Sequence, residues 1–210
     1  MKIIHLGFTL TSLLASLTAS ANAQIFTLAD TTDLALSHTS ADLAAAPPTA
    51  GSANVGNGVF SWGSLGSDTT ANTAEFSSGV FTSSDWGGDG TFTSNALDVS
   101  SLSSVSISAS FDGLFNTGTE FSNFFYQLDG GSIVEFGMGL EDITYTAELV
   151  TQTVDVSAAN SLVVGFTFNH NGSSDFFDVN SLTVVPEPSR FALLAGCCGL
   201  VSVMLRRRRA

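Results

Sequence analysis

The sequence predicts an all-β protein in which antiparallel strands form a β-sandwich of the jelly-roll type. Polar and apolar residues alternate strictly from Ser104 to Phe111, which is the pattern of a strand with one buried face. The dipeptide Asp129-Gly130 separates two β-rich runs, 124–128 and 132–136, and this arrangement predicts a hairpin. About eight to ten such runs with Gly-rich turns between them favour two packed antiparallel sheets.

The other predicted strands follow the same reasoning along the chain. Short runs separated by Gly, Ser, Thr and Asn predict strands at 24–28, 58–62, 75–82 and 91–99, and longer Val-, Thr- or Phe-rich runs predict strands at 145–156, 162–168 and 176–185. Residues 31–57 include Ala44-Ala45-Ala46-Pro47-Pro48 and show no regular pattern, so we expect a long irregular loop there. One domain over residues 24–185 is therefore expected.

The charged residues are distributed very unevenly. All six Lys and Arg residues lie outside residues 24–185, whereas nineteen carboxylates minus Glu187 leave eighteen inside that range. A body this acidic is a poor partner for nucleic acid or anionic lipid. It also contains neither of the two cysteines, Cys197 and Cys198, which excludes disulfides and thiolate chemistry from the body.

The N-terminal segment has the three parts of a secretory signal peptide. Lys2 precedes an apolar stretch over residues 3–17, and Ala21 and Ala23 form a small-x-small cleavage pattern before Gln24. A retained membrane helix is the alternative, but the apolar stretch is short and interrupted by Thr and Ser. Residues 1–23 are thus predicted to be removed on export.

The C-terminal segment predicts one membrane-spanning helix. Residues 191–205 are uncharged and would reach about 22 Å as a helix, against a hydrocarbon core of about 30 Å. Arg190 at the start of the helix can extend the span by snorkelling. A basic cluster directly after the helix holds that end in the cytoplasm. This cluster comprises Arg206, Arg207, Arg208 and Arg209.

The segment Pro186-Glu187-Pro188 lies between the body and this helix. Each proline fixes its own φ and keeps the preceding residue extended, so we expect an exposed backbone that suits a protease-like groove. The order of this motif, the apolar helix and the terminal arginines resembles the PEP-CTERM sorting signal over residues 186–210. That resemblance implies recognition of Pro186, Glu187 and Pro188 by an exosortase, a membrane enzyme of bacteria that make exopolysaccharide. A permanent tail anchor is the alternative, because the same charge asymmetry would produce it.

Two sets of residues are candidates for ligand binding in the body. The Gly-rich stretch 85–90 contains Trp86, which we expect to be exposed and able to stack on a sugar ring, although a surface turn would use the same residues. Asp175, Asp178 and Asn180 offer the oxygen ligands that Ca²⁺ prefers, with a solvated strand end as the simpler interpretation. Trp62 is expected in the core.

Enzymatic chemistry is weakly represented in the sequence. No nucleophile-elbow, zinc-protease or phosphate-loop motif occurs. His170 is interpreted as a polar residue of a surface loop. A glycosidase that uses two carboxylates needs only Asp and Glu side chains. Catalytic candidates of that kind are Glu135, Glu141 and Asp142.

The final strands, Phe166-Thr167-Phe168-Asn169 and 176–185, resemble the closing strands of lectin-like and carbohydrate-binding-module sandwiches. This resemblance implies a jelly roll that binds polysaccharide. The leading hypothesis is a non-enzymatic sandwich exported to the cell surface or extracellular matrix. A carbohydrate-binding module is the alternative, and a glycoside-active enzyme is the third.

Overall fold

The body is an antiparallel sandwich of two sheets, which confirms the predicted fold class. The computed structural model describes residues 24–38, 49–63, 72–115, 120–139, 143–170 and 174–187. A short 3₁₀ helix spans Leu28–Asp30, and every other regular element in these ranges is a strand. In chain order the strands are β1 (Phe26–Thr27), β2 (Leu34–His38), β3 (Gly51–Asn54), β4 (Gly58–Trp62), β5 (Asn72–Ser77), β6 (Val80–Ser84), β7 (Gly88–Ser94), β8 (Leu97–Asp98), β9 (Ser104–Phe115), β10 (Phe121–Leu128), β11 (Ile133–Gly139), β12 (Ile143–Asp155), β13 (Ser161–His170) and β14 (Phe176–Pro186).

Within the described ranges each sheet contains seven strands. Sheet A has the order β12-β9-β14-β6-β5-β2, with β1 also paired to β14. Sheet B has the order β11-β10-β13-β7-β4-β3, with β8 also paired to β13. The last two strands, β13 and β14, thus lie inside different sheets, and the chain passes repeatedly from one sheet to the other, as in a jelly roll.

The core between the sheets is built from phenylalanine rings. Period-two alternation in β9 places Val105, Ile107, Ala109 and Phe111 inside, as predicted, and the neighbouring strands repeat this pattern. Phe177 lies at the centre and is fully buried. Its ring centroid is within 6.5 Å of those of Phe81, Phe111, Phe115, Phe124, Phe166 and Phe168.

The predicted hairpin is confirmed. Gln127 of β10 pairs with Ile133 of β11, and the turn residues Asp129 and Gly130 have φ angles of 48° and 67°. Both angles lie in the left-handed region that Asp-Gly turns adopt. The Asp129 carboxylate also accepts hydrogen bonds from the backbone of Ser161 and Asn160, which lowers its pKa and ties the turn to β13.

Three sequence predictions differ from the structure. The loop expected over 31–57 contains β2 and β3, because both strands add to sheet edges where pairing, rather than pattern, determines their conformation. The single strand expected over 75–82 is a hairpin, in which Ser78 and Gly79 form the turn at φ angles of 53° and 81°. The body also extends beyond 185, since β14 continues through Pro186.

Candidate functional site

A buried polar cluster lies at one end of the sandwich, around His170. Phe168 stacks on the imidazole with ring centroids 5.3 Å apart, and His170 is completely buried. The expectation that this histidine lies in a polar loop is wrong, because it is the last residue of β13. The alternation Leu162, Val164, Phe166, Phe168 continues to position 170, so the signal that it faces inward was present in the sequence.

The hydrogen bonds of His170 determine its tautomer. The Ser83 hydroxyl donates to the carbonyl oxygen of Phe177 at 3.0 Å, so it accepts from the Nε2–H of His170 at 2.9 Å. The backbone N–H of Trp86 donates to Nδ1 at 3.1 Å. His170 is therefore a neutral imidazole that carries its proton on Nε2. Burial lowers the pKa of His170 to about 4, and the nearby Glu120 carboxylate opposes this shift.

This Ser83–His170 pair is unsuited to nucleophilic catalysis. A general base needs a lone pair directed at the hydroxyl, whereas Nε2 directs a proton at it. Ser83 is also only 2% exposed, which leaves no path for a substrate. Three buried carboxylates, Glu120, Asp85 and Asp175, complete the cluster, and the Asp85 N–H donates to the Asp175 carbonyl oxygen at 2.9 Å. The cluster joins β6, β13 and β14.

Trp86 belongs to the same end of the core, and the prediction that it is exposed is wrong. Its side chain is 0% exposed and packs against Phe60 at a centroid distance of 6.0 Å. Asp85 and Gly87, on either side of it, have φ angles of 48° and 70°, and this local path turns the indole inward. A buried indole cannot stack on a sugar ring. Trp62 is the partly exposed tryptophan, and it lies over Gly51 at the edge of sheet B.

The three proposed calcium ligands do not converge. Asp175 is 1% exposed and faces the core, whereas Asp178 follows it by three residues and faces outward. Asp178 pairs across the strands with Asp112, and Asn180 donates its side-chain N–H to Asp112 Oδ2 at 2.5 Å. The structure thus brings Asp178 and Asn180 together around Asp112, a residue that sequence analysis did not single out.

The outward-facing Asp112–Asp178 pair has no cationic neighbour in the described ranges. Partial burial raises the pKa of Asp178 to about 6, and the Asp112 carboxylate adds to this shift. A bulge in β12 places Ala147 at a φ of 49°, and the Ala147 N–H donates to Asp112 Oδ1 at 2.7 Å. Within the described ranges, no group of three or more His, Asp or Glu side chains could hold a metal ion.

A row of polar side chains crosses the outer face of sheet B. One residue from each of five adjacent strands contributes, and the cross-strand pairing aligns them. Ser61 donates to the Thr91 carbonyl oxygen at 3.4 Å, and Thr91 donates to the Thr167 hydroxyl at 3.2 Å. The four spacings between these five strands, at about 4.8 Å each, give a row of about 19 Å. We call this the polar row; it consists of Ser52, Ser61, Thr91, Thr167 and Asn123.

One end of the polar row is unsatisfied. Asn123 is 9% exposed, and its buried amide oxygen has no hydrogen-bond partner among the described residues. The adjacent row presents the exposed Val59, the methyl group of Thr93 and the bare backbone of Gly165, against which the Phe125 ring packs. This face therefore combines aligned hydroxyl groups with an apolar strip. No sequence pattern distinguished these residues from ordinary outward positions.

Only the start of the predicted sorting motif lies in the described ranges. Pro186 is a buried residue of β14 opposite Val105, and the Glu187 N–H donates to the Ser104 carbonyl oxygen at 3.0 Å. The expectation of an exposed backbone is thus wrong for these two residues, because the strand extends into the motif. Gln24 is exposed. Outside the described residues lie Ala21, Ala23, Pro188, the segment 191–205 for which a helix was predicted, and Arg206, Arg207, Arg208 and Arg209.

Two further observations concern the same regions. The described segments include no helix with the length and apolarity that crossing a membrane requires. Of the carboxylates left open for a glycosidase, Glu135 is exposed on β11, whereas Glu141 and Asp142 lie outside the described residues.

No protein-family model matches the chain, and no curated protein does. Several solved structures are similar to part of the chain. TmCBM61 in complex with β-1,4-galactotriose is 8% identical and has a TM-score of 0.36, with 62% of this chain and 70% of that one covered. The potassium-bound carbohydrate recognition domain of Emp46p is 9% identical, with a TM-score of 0.38 and coverage of 55% and 87%. A family 29 carbohydrate-binding module is 11% identical, with a TM-score of 0.38 and coverage of 74% and 92%. The likeness is one of fold alone.

Proposed function

We propose that this protein is a non-enzymatic β-sandwich, exported and then sorted to the cell surface or extracellular polysaccharide matrix by a PEP-CTERM tail. The observation that carries the proposal is the position of the motif relative to the fold. Among the described residues the last strand, β14, ends at Pro186, the first residue of the motif, and the apolar segment and the arginines follow in the sequence. The partner would be an exosortase-type membrane enzyme, and the precursor would be anchored in the inner membrane.

We propose that the body is not catalytic because its side chains do not form the groups that catalysis would need. The Ser83–His170 pair is buried and carries its proton on the wrong nitrogen for a general base. Residues 24–185 also contain no Lys or Arg to stabilise an anionic transition state.

The sorting proposal is tested with two substitutions beyond the last strand. We expect the double variant Glu187→Gln, Pro188→Ala to stay in the inner membrane with its tail attached, whereas the wild-type chain is released without Arg209. A matched control is Pro47→Ala, Pro48→Ala, which removes a proline pair from the body. Intact-mass analysis of membrane and released fractions distinguishes these outcomes. Release of the double variant with the wild-type C-terminus would refute the sorting proposal, and a wild-type protein that keeps Arg209 would indicate a permanent anchor.

A second function, the binding of neutral polysaccharide, is favoured by the outer face of sheet B. A pyranose presents hydroxyl groups at its edge and C–H groups on its face, and the polar row with its adjacent apolar strip offers partners for both. Asn123 is nearly buried, so the exposed Ser52 and the partly exposed Ser61, Thr91 and Thr167 would supply the hydrogen-bonding groups. The acidic body would repel anionic polysaccharides, so neutral glucans, galactans and mannans are the ligands to test.

Affinity electrophoresis in gels that contain each neutral polysaccharide measures this binding. We expect Ser61→Ala and Thr91→Val to abolish the retardation of the protein, while Thr151→Val, on the outer face of sheet A, leaves it unchanged. Absence of retardation in the wild-type protein with all three polymer classes would remove the binding hypothesis. Equal retardation of all variants would place binding elsewhere on the molecule.

A further inference from the structure

The first two residues of the proposed sorting motif are part of sheet A. Pro186 lies opposite Val105 in the β14–β9 pair and is buried. Glu187 follows it, and its N–H donates to the Ser104 carbonyl oxygen at 3.0 Å, which continues the ladder by one hydrogen bond. The body therefore holds Pro186 and Glu187 by main-chain pairing.

The side chain of Glu187 adds a second contact. The Thr153 hydroxyl of β12 donates to Glu187 Oε1 at 3.1 Å. Because β9 lies between β12 and β14, this hydrogen bond crosses β9 and links the end of β14 to the edge strand β12. Glu187 is accordingly half-buried rather than free in solvent.

These contacts use the groups that a peptide-binding groove would need. A groove that binds an extended peptide pairs with its backbone N–H groups and carbonyls and selects its side chains in pockets. The N–H and carboxylate of Glu187 are already hydrogen-bonded, and the ring of Pro186 is buried in the body. Docking on sheet A and binding in such a groove are therefore mutually exclusive.

We propose that the folded body competes with the processing enzyme for Pro186 and Glu187, so that processing requires the end of β14 to detach from β9. This inference rests on the proposed sorting function and adds a regulatory step to it. Strand ends open locally at far smaller free-energy cost than the whole domain, so the docked state would slow processing without preventing it. The sandwich thus acts as an intramolecular inhibitor of its own release.

The test weakens docking without changing the motif. Thr153→Val removes the hydroxyl that binds Glu187, whereas Thr151→Val is the matched control. Thr151 lies two residues earlier on the same face of β12, and its hydroxyl is 3.3 Å from that of Ser108 instead. The loss of one partly exposed hydrogen bond should raise the detached population roughly threefold. A second variant inserts Gly-Ser-Gly-Ser between Val185 and Pro186, which moves the motif out of the sheet.

The measurement is the rate at which the full-length chain loses its tail after a pulse of labelling in the native host. We expect Thr153→Val to be processed roughly threefold faster than wild type, the spacer variant to be faster still, and Thr151→Val to match wild type. Equal rates for wild type, Thr153→Val and the spacer variant would overturn the competition while leaving the sorting function intact. A wild-type chain that never loses its tail would overturn both.

Discussion

At the residue scale, His170 shows how a single buried polar group becomes part of the core. Both ring nitrogens are hydrogen-bonded: Nε2 to the Ser83 hydroxyl, and Nδ1 to the backbone N–H of Trp86. The neutral ring therefore has all its hydrogen bonds. The charged form would lose the Trp86 contact and would have to be desolvated. The histidine that the sequence pattern assigned to a polar loop therefore acts as a structural link between β6 and β13.

This burial predicts a specific dependence of stability on pH. The pKa of His170 is about 4 in the folded protein, against about 6.5 in an unfolded chain. Between these pH values the unfolded state therefore binds more protons at this residue than the folded state does. The contribution of His170 to stability is complete above pH 6.5 and decreases as the pH falls toward 4. The loss attributable to His170 at pH 4 is about 3 kcal/mol. Urea unfolding of the wild-type protein and of His170→Gln from pH 4 to 8 should therefore give a difference in stability between the two proteins that follows this slope.

Asp178 provides the control of opposite sign. Its pKa of about 6 exceeds the unfolded value of 3.8, so its contribution to stability falls as the pH increases from 3.8 to 6. Asp178→Asn should thus raise the melting temperature at pH 8 and leave the His170 slope in place. A pH profile that is unchanged by His170→Gln would show that the imidazole is not the buried group that titrates.

At the scale of the elements, the contact between sheet strands depends on small residues at defined positions. Gly165 of β13 lies between β10 and β7, and a Cβ there would come within 2.1 Å of the Phe92 carbonyl oxygen and 2.5 Å of the Phe125 ring. Backbone cannot move aside as a flexible side chain can. Gly165 is therefore required for the register of the central strands of sheet B.

A comparison of two glycines tests this requirement. Gly165→Ala should destabilise the protein by about 2 kcal/mol or more, since overpacking in a well-packed region typically costs 1–3 kcal/mol. Gly63→Ala should be nearly neutral, because a Cβ there would meet Asp89 atoms only at 3.8 Å or beyond. Denaturant midpoints of the two variants give the answer. Similar midpoints would mean that β7 and β13 are less closely packed than described.

At the scale of the whole molecule, the acidic charge is distributed over a body with no Lys or Arg. The Debye length is about 30 Å at 0.01 M ionic strength and about 10 Å at 0.1 M, so repulsion across the domain is strong only at low salt. Several carboxylates are locally stabilised instead: Ser100 and Ser157 donate side-chain and backbone hydrogen bonds that lower the pKa values of Asp98 and Asp155, respectively. These two carboxylates are therefore stabilised by hydrogen bonds from serine, in a body that has no Lys or Arg to form ion pairs.

Salt should therefore stabilise residues 24–187 by screening. We expect the melting temperature to increase as NaCl rises from 0.01 to 0.15 M, because self-repulsion weakens. Calcium, magnesium and sodium chloride at matched ionic strength, with a chelator control, separate screening from binding. A larger shift with Ca²⁺, which Asp112→Asn abolishes, would support a metal site at the Asp112–Asp178 pair. A melting temperature that is independent of salt would contradict the screening account.

The sequence alone determined the features that depend on local pattern. Strands such as β9 and β13 were predictable because alternation with period two is a property of each strand by itself, and the Asp129-Gly130 turn specifies its own backbone. Tertiary structure decided which side chains meet. Ser83 and His170 are 87 residues apart, Trp86 and His170 are 84 apart, and Thr153 and Glu187 are 34 apart. These pairs depend on the register of strands brought together by the whole core, and on a loop whose left-handed residues turn Trp86 inward. No local pattern encodes the register or the path of this loop. For that reason the sequence predicted an exposed Trp86 and an exposed motif backbone, whereas Trp86 is buried and Glu187 is hydrogen-bonded to sheet A.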